Sequence, residues 1–227
     1  MIQGVSRSAM LAVLAGSATF AGAETVLISM RYDSLSGSYN SALQEFRARA
    51  ADTAALRSTG AVSRLVPTTG TALFEAGFVS AANSADFDIR VSAIPTGNPL
   101  VRTGSGLFVA TDVDGDTISG VVNGTWYNGG PGFIFFNGTL SNVILTSSGA
   151  APENGTFDGS NGGSWDMNIP APQPYEGAIV QLVFGAPNFF LQDFQDRATG
   201  VTAQLVPAPG ALVLMGLGGL AMTRRRR

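Results

Sequence analysis

Leu107-Phe108-Val109-Ala110-Thr111-Asp112-Val113-Asp114-Gly115-Asp116-Thr117-Ile118-Ser119-Gly120-Val121-Val122 sets two β-prone runs on either side of Asp114-Gly115. Asp-Gly tolerates the positive φ of a tight turn, so the stretch reads as a hairpin. The same chemistry recurs outward from it. Asp86-Phe87-Asp88-Ile89-Arg90-Val91 alternates polar and apolar residues, the period of a half-buried strand. Asn123-Gly124, Asn128-Gly129, Asn137-Gly138, Asn154-Gly155, Asp158-Gly159 and Asn161-Gly162 read as further turns. Strands are expected at 25–31, 133–136, 140–146, 177–184 and 201–206.

Many short strands joined by tight turns predict a mainly β fold, an antiparallel β-sandwich or jelly-roll-like domain. No strict repeat supports the alternative of a solenoid. One segment departs from the β pattern. Leu43, Phe46, Ala50, Ala54 and Leu56 lie close to helical spacing, with Ser38 or Asn40 as a cap and Gly60 as a stop. A single helix is therefore expected near 39–59, covering one face or edge of a sheet.

The chain has 227 residues, enough for one domain plus processing segments. All 13 basic residues are arginine, and there is no His, Lys or Cys. This excludes Ser-His-Asp and Cys-His nucleophile systems, Cys/His zinc sites, Schiff-base lysines and phosphate-loop lysines. Absence of Cys fits either a reducing compartment or an envelope protein without disulfides. Arg7 precedes an uncharged stretch from Ala9 to Phe20, and Ala21-Gly22-Ala23 supplies a small-x-small cleavage signature. Residues 1–23 are accordingly expected to be a signal peptide and 24–203 an exported β-rich domain. Without Arg7 and the four terminal arginines, eight arginines face all 16 acids, a net charge of about −8. Such an acidic body argues against nucleic acid as a partner.

At the other end, Val206-Pro207-Ala208-Pro209-Gly210 precedes an apolar run that stops at Arg224-Arg225-Arg226-Arg227. As a helix, 208–222 spans roughly 22 Å against a hydrocarbon core of about 30 Å, a short crossing that snorkelling arginines extend. A transmembrane helix is expected at about 208–223, within a tail of 204–227, with the arginines cytoplasmic and the body outside. This tail resembles the PEP-CTERM family of sorting domains, especially its Val-Pro-Leu-Pro-Ala variants. Val206, Pro207 and Pro209 match the motif and Arg224, Arg225, Arg226 and Arg227 match the terminal cluster. Ala208 stands where Glu or Leu is commoner, and Gly210 where the variant has Ala. The resemblance covers about a tenth of the chain. It implies a Gram-negative envelope or extracellular location and handling by secretion machinery. It also implies an exosortase-type membrane transpeptidase, at least transient membrane anchoring, and extracellular polysaccharide as an associated partner.

Within the body, Asp112, Asp114 and Asp116 alternate across a tight turn, where carboxylates converge on a hard cation such as calcium. They resemble the first, third and fifth places of an EF-hand-type loop. Thr117 and Asn123 stand where that loop has Gly and a bidentate Glu, and a solvated hairpin turn explains the same residues. Three Asn-Gly-Thr sequons, at Asn123, Asn137 and Asn154, read as recurring turn chemistry. Trp126, Tyr127, Trp165 and Tyr175 read either as a sugar-stacking platform or as packing residues. The leading expectation is a non-enzymatic, surface-sorted structural or adhesive β domain. The alternatives are a calcium- or glycan-binding module and a carboxylate-based glycosidase, which would need two acids facing one cleft.

Overall fold

The structure, a computed structural model, describes residues 25–79, 85–130, 132–149, 154–186 and 188–208. The expected signal segment 1–23, Pro209 and the apolar run to Arg227 lie outside them. The strands are β1 (Ile28–Asn40), β2 (Glu45–Arg49), β3 (Thr59–Arg64), β4 (Gly70–Phe74), β5 (Asp86–Ser92), β6 (Ile94–Pro95) and β7 (Val101–Thr111). They continue as β8 (Thr117–Asn128), β9 (Phe133–Thr146), β10 (Thr156–Asp158), β11 (Ser164–Asp166), β12 (Tyr175–Gly185) and β13 (Phe194–Pro207).

The mainly β, antiparallel character follows the sequence pattern, but the layers differ from two facing sheets. Eight strands form one ring in the order β1-β2-β5-β7-β8-β9-β12-β13, and β13 returns to β1. That last pairing runs from Ile28↔Leu205 to Tyr39↔Phe194 and closes a barrel. Alternation of buried and exposed residues is the same for a sandwich and a barrel; closure is set by strand stagger and by which distant strands meet.

β1 serves two neighbours in succession along one edge. Its first half, Ile28 to Asp33, pairs with β3, and its second half, Ser36 to Asn40, pairs with β2. The change occurs at a bulge, where Ser34 has φ 57° and its carbonyl accepts a 2.9 Å hydrogen bond from Ser58 Oγ. The extra residue bends the strand so that β3 and β4 splay away from the ring. The β10–β11 hairpin covers β4: Leu73 N–H donates to Gly162 O and Asn161 N–H to Leu73 O, at 3.1 and 2.8 Å.

No helix occurs over 39–59. Asn40 ends β1, its Oδ1 accepts the Leu43 amide at 3.0 Å, and Leu43 is 70% exposed at a hairpin tip. Gly60 lies inside β3. Phe46, Ala48 and Ala50 are buried at a two-residue period, with Glu45, Arg47 and Arg49 between them. The ion pair of Arg47 with Asp88 on β5 then holds β2 to its neighbour across the outer wall: Nε–Oδ1 is 2.8 Å and Nη2–Oδ2 2.6 Å. A few apolar residues near helical spacing do not make a helix when the larger ones are two apart and a strand edge is waiting.

Asn123-Gly124 and Asn137-Gly138 are not turns either. Both lie inside long strands, in register with each other and with Gly104 on β7. All three glycines are on the inward side, beneath aromatic rings. The ring of Phe136 folds over Gly124 and Gly138, and a Cβ on Gly104 would stand 2.8 Å from Trp126 Nε1 and 2.7 Å from Ser92 O. Glycine is needed here for space, not for positive φ. Positive φ is used at the turns that do exist, including Gly115 at 90° and Gly130 at 110°.

The interior is filled by this packing. Phe46 stacks on Phe184 at 4.5 Å, Trp126 meets Phe46 edge-on at 5.1 Å, and Phe136 lies 4.7 Å from Trp126. Trp126 Nε1 donates to Ser92 O at 2.8 Å, so the indole is buried without an orphaned N–H. Arg102 turns toward one end of the barrel, 5.7 Å from the centre of the Phe190 ring, and donates to Ala93 O at 3.0 Å. A second cluster joins Tyr32, Phe74, Phe78 and Phe87 beneath β3 and β4, with Phe157 and Trp165 beyond.

Gly104→Ala should therefore lower stability by about 1–3 kcal/mol through overpacking. Gly97→Ala, where an added Cβ meets nothing within 4 Å, should change it by under about 0.5 kcal/mol. Urea unfolding followed by tryptophan fluorescence compares them.

Candidate functional site

The Asp112–Asp116 turn joins β7 to β8 and is built around a buried carboxylate. Asp112 Oδ1 accepts the amides of Asp114 and Asp116, each at 2.9 Å. Its Oδ2 accepts the amide of Asp158 at 2.8 Å, tying the turn to β10, 46 residues further along the chain. Asp116 is also buried, and its Oδ1 accepts the Ser148 amide at 2.7 Å. Two consecutive aspartate frames thus anchor both β10 and the segment leaving β9.

Asn154 completes the cluster from outside. Its Nδ2 donates to Asp158 Oδ2 at 2.9 Å and to Asp114 Oδ2 at 3.3 Å. Thr156 Oγ1 contacts Asn154 Oδ1 and Asp158 Oδ2, both at 2.6 Å. The sequon at Asn154 is therefore a polar clasp between two turns. Asp158 is the member of this cluster that the sequence reading did not single out. Its only local signal was Asp158-Gly159, which read as a separate turn.

For the expected calcium set, the structure brings Asp112 and Asp116 into one buried turn and places Asp114 at its partly exposed rim. Among the described residues, no group of three or more carboxylates is placed to hold a metal ion. Asp112 directs both oxygens at backbone amides, an arrangement that organises loops. Burial pushes its carboxyl up to about 6, against the opposing pull of the three N–H donors. The side-chain oxygens of Asp116 Oδ2 and Tyr32 Oη are buried without a hydrogen-bond partner among the described residues. Burial, followed by the negative charges of Asp86 and Asp112, drives the Tyr32 phenol far above its ordinary range.

The aromatic residues divide. Trp126, Trp165 and Tyr175 are core: Trp165 Nε1 donates to Val62 O at 3.1 Å and Tyr175 Oη to Ala171 O at 3.0 Å. Tyr127 alone of that set reaches the outer wall, where it stacks on Phe135 at 5.3 Å. On the same wall a shallow groove of about 390 Å³ runs between β9, β12 and β13, lined by Thr139, Ser141, Glu176 and Gln204.

Of the expected sorting motif, Val206 and Pro207 are described, and both belong to β13. Val206 pairs with Glu176 and the buried Pro207 with Tyr175. The barrel therefore extends past residue 203, and its last strand runs to within two residues of Pro209. Pro209 and Arg224, Arg225, Arg226 and Arg227 lie outside the described residues.

No protein-family model, curated protein or solved structure matches the chain.

The raised carboxyl of Asp112 has a definite thermodynamic sign. Its folded value of about 6 lies above the ordinary value of about 3.9, so the folded protein takes up a proton first as pH falls. Stability should rise as pH falls from about 7 towards 4, by at most about 2–3 kcal/mol. Asp88 acts oppositely: despite its burial, hydrogen bonds from Arg47 and Arg90 hold its carboxyl below the ordinary range. Its contribution is lost only at lower pH, below about 4. The urea midpoint should thus be higher at pH 5 than at pH 7, and Asp112→Asn should remove most of that difference, the rest coming from Asp86, whose carboxyl is also raised by burial.

Proposed function

We propose that this protein is exported and sorted to the cell surface through its C-terminal tail, where the barrel acts as a non-catalytic structural or adhesive domain. One observation supports the second half most directly: the barrel interior is occupied by Phe46, Trp126, Phe136, Phe184 and Phe190, all at most 2% exposed. Eight-stranded barrels that carry small ligands keep that space for them. Here the space is spent on packing. The acid-rich turns are likewise spent on joining hairpins, with Asp112 holding three amides.

The faces of the barrel fit an aqueous setting. A membrane-spanning barrel has an apolar outer band and a polar interior. This barrel is apolar inside and carries Arg47, Asp88 and Arg90 in ion pairs on its outer wall. This supports the reading in which membrane attachment belongs to the apolar run beginning near Ala208. The strand pairing of Val206 and Pro207 supports a short tether, with the barrel held close to the bilayer surface.

Mass spectrometry of the chain expressed in a Gram-negative host, combined with fractionation, tests the reading. The expected product begins at Glu24 and is found in the envelope or medium. A cytosolic product retaining residues 1–23 would contradict it.

A further inference from the structure

β7, β8 and β9 contribute 11, 12 and 14 residues, yet they contain one charged residue, Arg102, and it turns toward the barrel end. Their outward positions fall in register across the wall. Leu107, Val109 and Ile144 gather at one end, and Tyr127, Phe133 and Phe135 at the other, with serine, threonine and asparagine between. Several apolar members are widely open, at 60% for Leu107, 61% for Phe133 and 44% for Ile144. Elsewhere the outer wall is charged, as at Arg47, Asp88 and Arg90.

We infer that this uncharged wall is a self-association surface that takes a second copy of the same chain. Three observations favour that occupant. First, a body of net charge about −8 repels its own kind, and two copies approach at least cost where neither presents a charge. Second, an isologous contact must complement itself. Serine, threonine and asparagine both donate and accept, so facing rows of them pair with each other, while the aliphatic ends bury one another. Third, the area reaches the lower end of what a specific contact needs. Over β7, β8 and β9, about 35 Å of strand length across three strands spaced at about 4.8 Å gives about 500 Å² per copy, or about 1,000 Å² in total. A contact of about 1,000 Å² sits at the weak end of specific interfaces.

A polysaccharide is the weaker candidate on this wall. Leu107, Val109 and Ile144 have no flat face to lay on a sugar ring, Tyr127 and Phe135 stack on each other, and both tryptophans are buried, which leaves Phe133 as the one open ring. The inference stands apart from the proposed surface role, since it concerns the barrel wherever the chain resides.

The chain has no cysteine, so one introduced thiol reports one position. Asn123→Cys, in the middle of the wall, is oxidised in the full chain held in mild detergent. A disulfide-linked dimer should form, while Arg197→Cys on β13 should stay monomeric. Adding Leu107→Arg and Ile144→Arg to Asn123→Cys should reduce the dimer at least about tenfold. Both sites face outward, so circular dichroism should be unchanged; Leu107→Arg alone replaces the pair if it is not. A monomer by sedimentation at about 100 µM overturns the inference. So does a dimer indifferent to the arginines, which would place association elsewhere, such as the tail. Retention of a monomeric wild type on a dextran column, lost in the arginine variant, would assign the wall to polysaccharide instead.

Discussion

Trp126 lies over Gly104, and Phe136 over Gly124 and Gly138; the rest of the barrel depends on this contact between large rings and bare backbone. Glycine inside a strand weakens it, and three in register across adjacent strands would be a fault line in an open sheet. The rings reverse that cost. They fill the volume that missing side chains leave, and the absence of Cβ atoms allows the wall to curve tightly enough for β13 to reach β1. Because Phe46 and Phe184 from other strands complete the same stack, the core is also the joint that fixes the ring.

A second constraint is the geometry of β1. Its bulge at Ser34 lets one strand close the barrel with one half and carry the β3–β4 extension with the other. The extension needs its own cover, supplied by the β10–β11 hairpin and Trp165. That hairpin is in turn held by Asp112, from the turn between β7 and β8. The acidic turn therefore acts at a distance from its own hairpin. It fastens a late segment of the chain to an early one, and its buried carboxyl makes that fastening sensitive to pH in the mildly acidic range.

Different parts of the molecule do different physical work. The interior supplies rigidity, the charged wall of β2 and β5 supplies solvation, and the uncharged wall of β7 to β9 offers contact. The last strand leads into the segment whose composition speaks of a membrane. An interior filled in this way leaves the outer wall as the surface through which the proposed role would act.

Much of the local structure was legible from residue order. The hairpin at Asp114-Gly115, the alternation of Asp86 to Val91 and the late strands before Val206 all depend on period and turn chemistry, which neighbouring residues decide. The expected terminal signals would likewise be local features, since charge and hydropathy act without a fold, but residues 1–23 and 209–227 lie outside the described residues. What sequence could not decide was anything requiring distant partners. The Asn-Gly pair that permits positive φ at Asn154-Gly155 and Asn161-Gly162 serves as a ring seat at Asn123-Gly124 and Asn137-Gly138, and only the rings packed above them distinguish the two uses. Phe46, Ala48 and Ala50 became a strand because β1 and β5 were there to pair with. Asp112 became a buried staple because Asp158 arrives from 46 residues away. Closure of the ring, finally, joins the first strand to the last, a contact between residues that no local pattern could bring together.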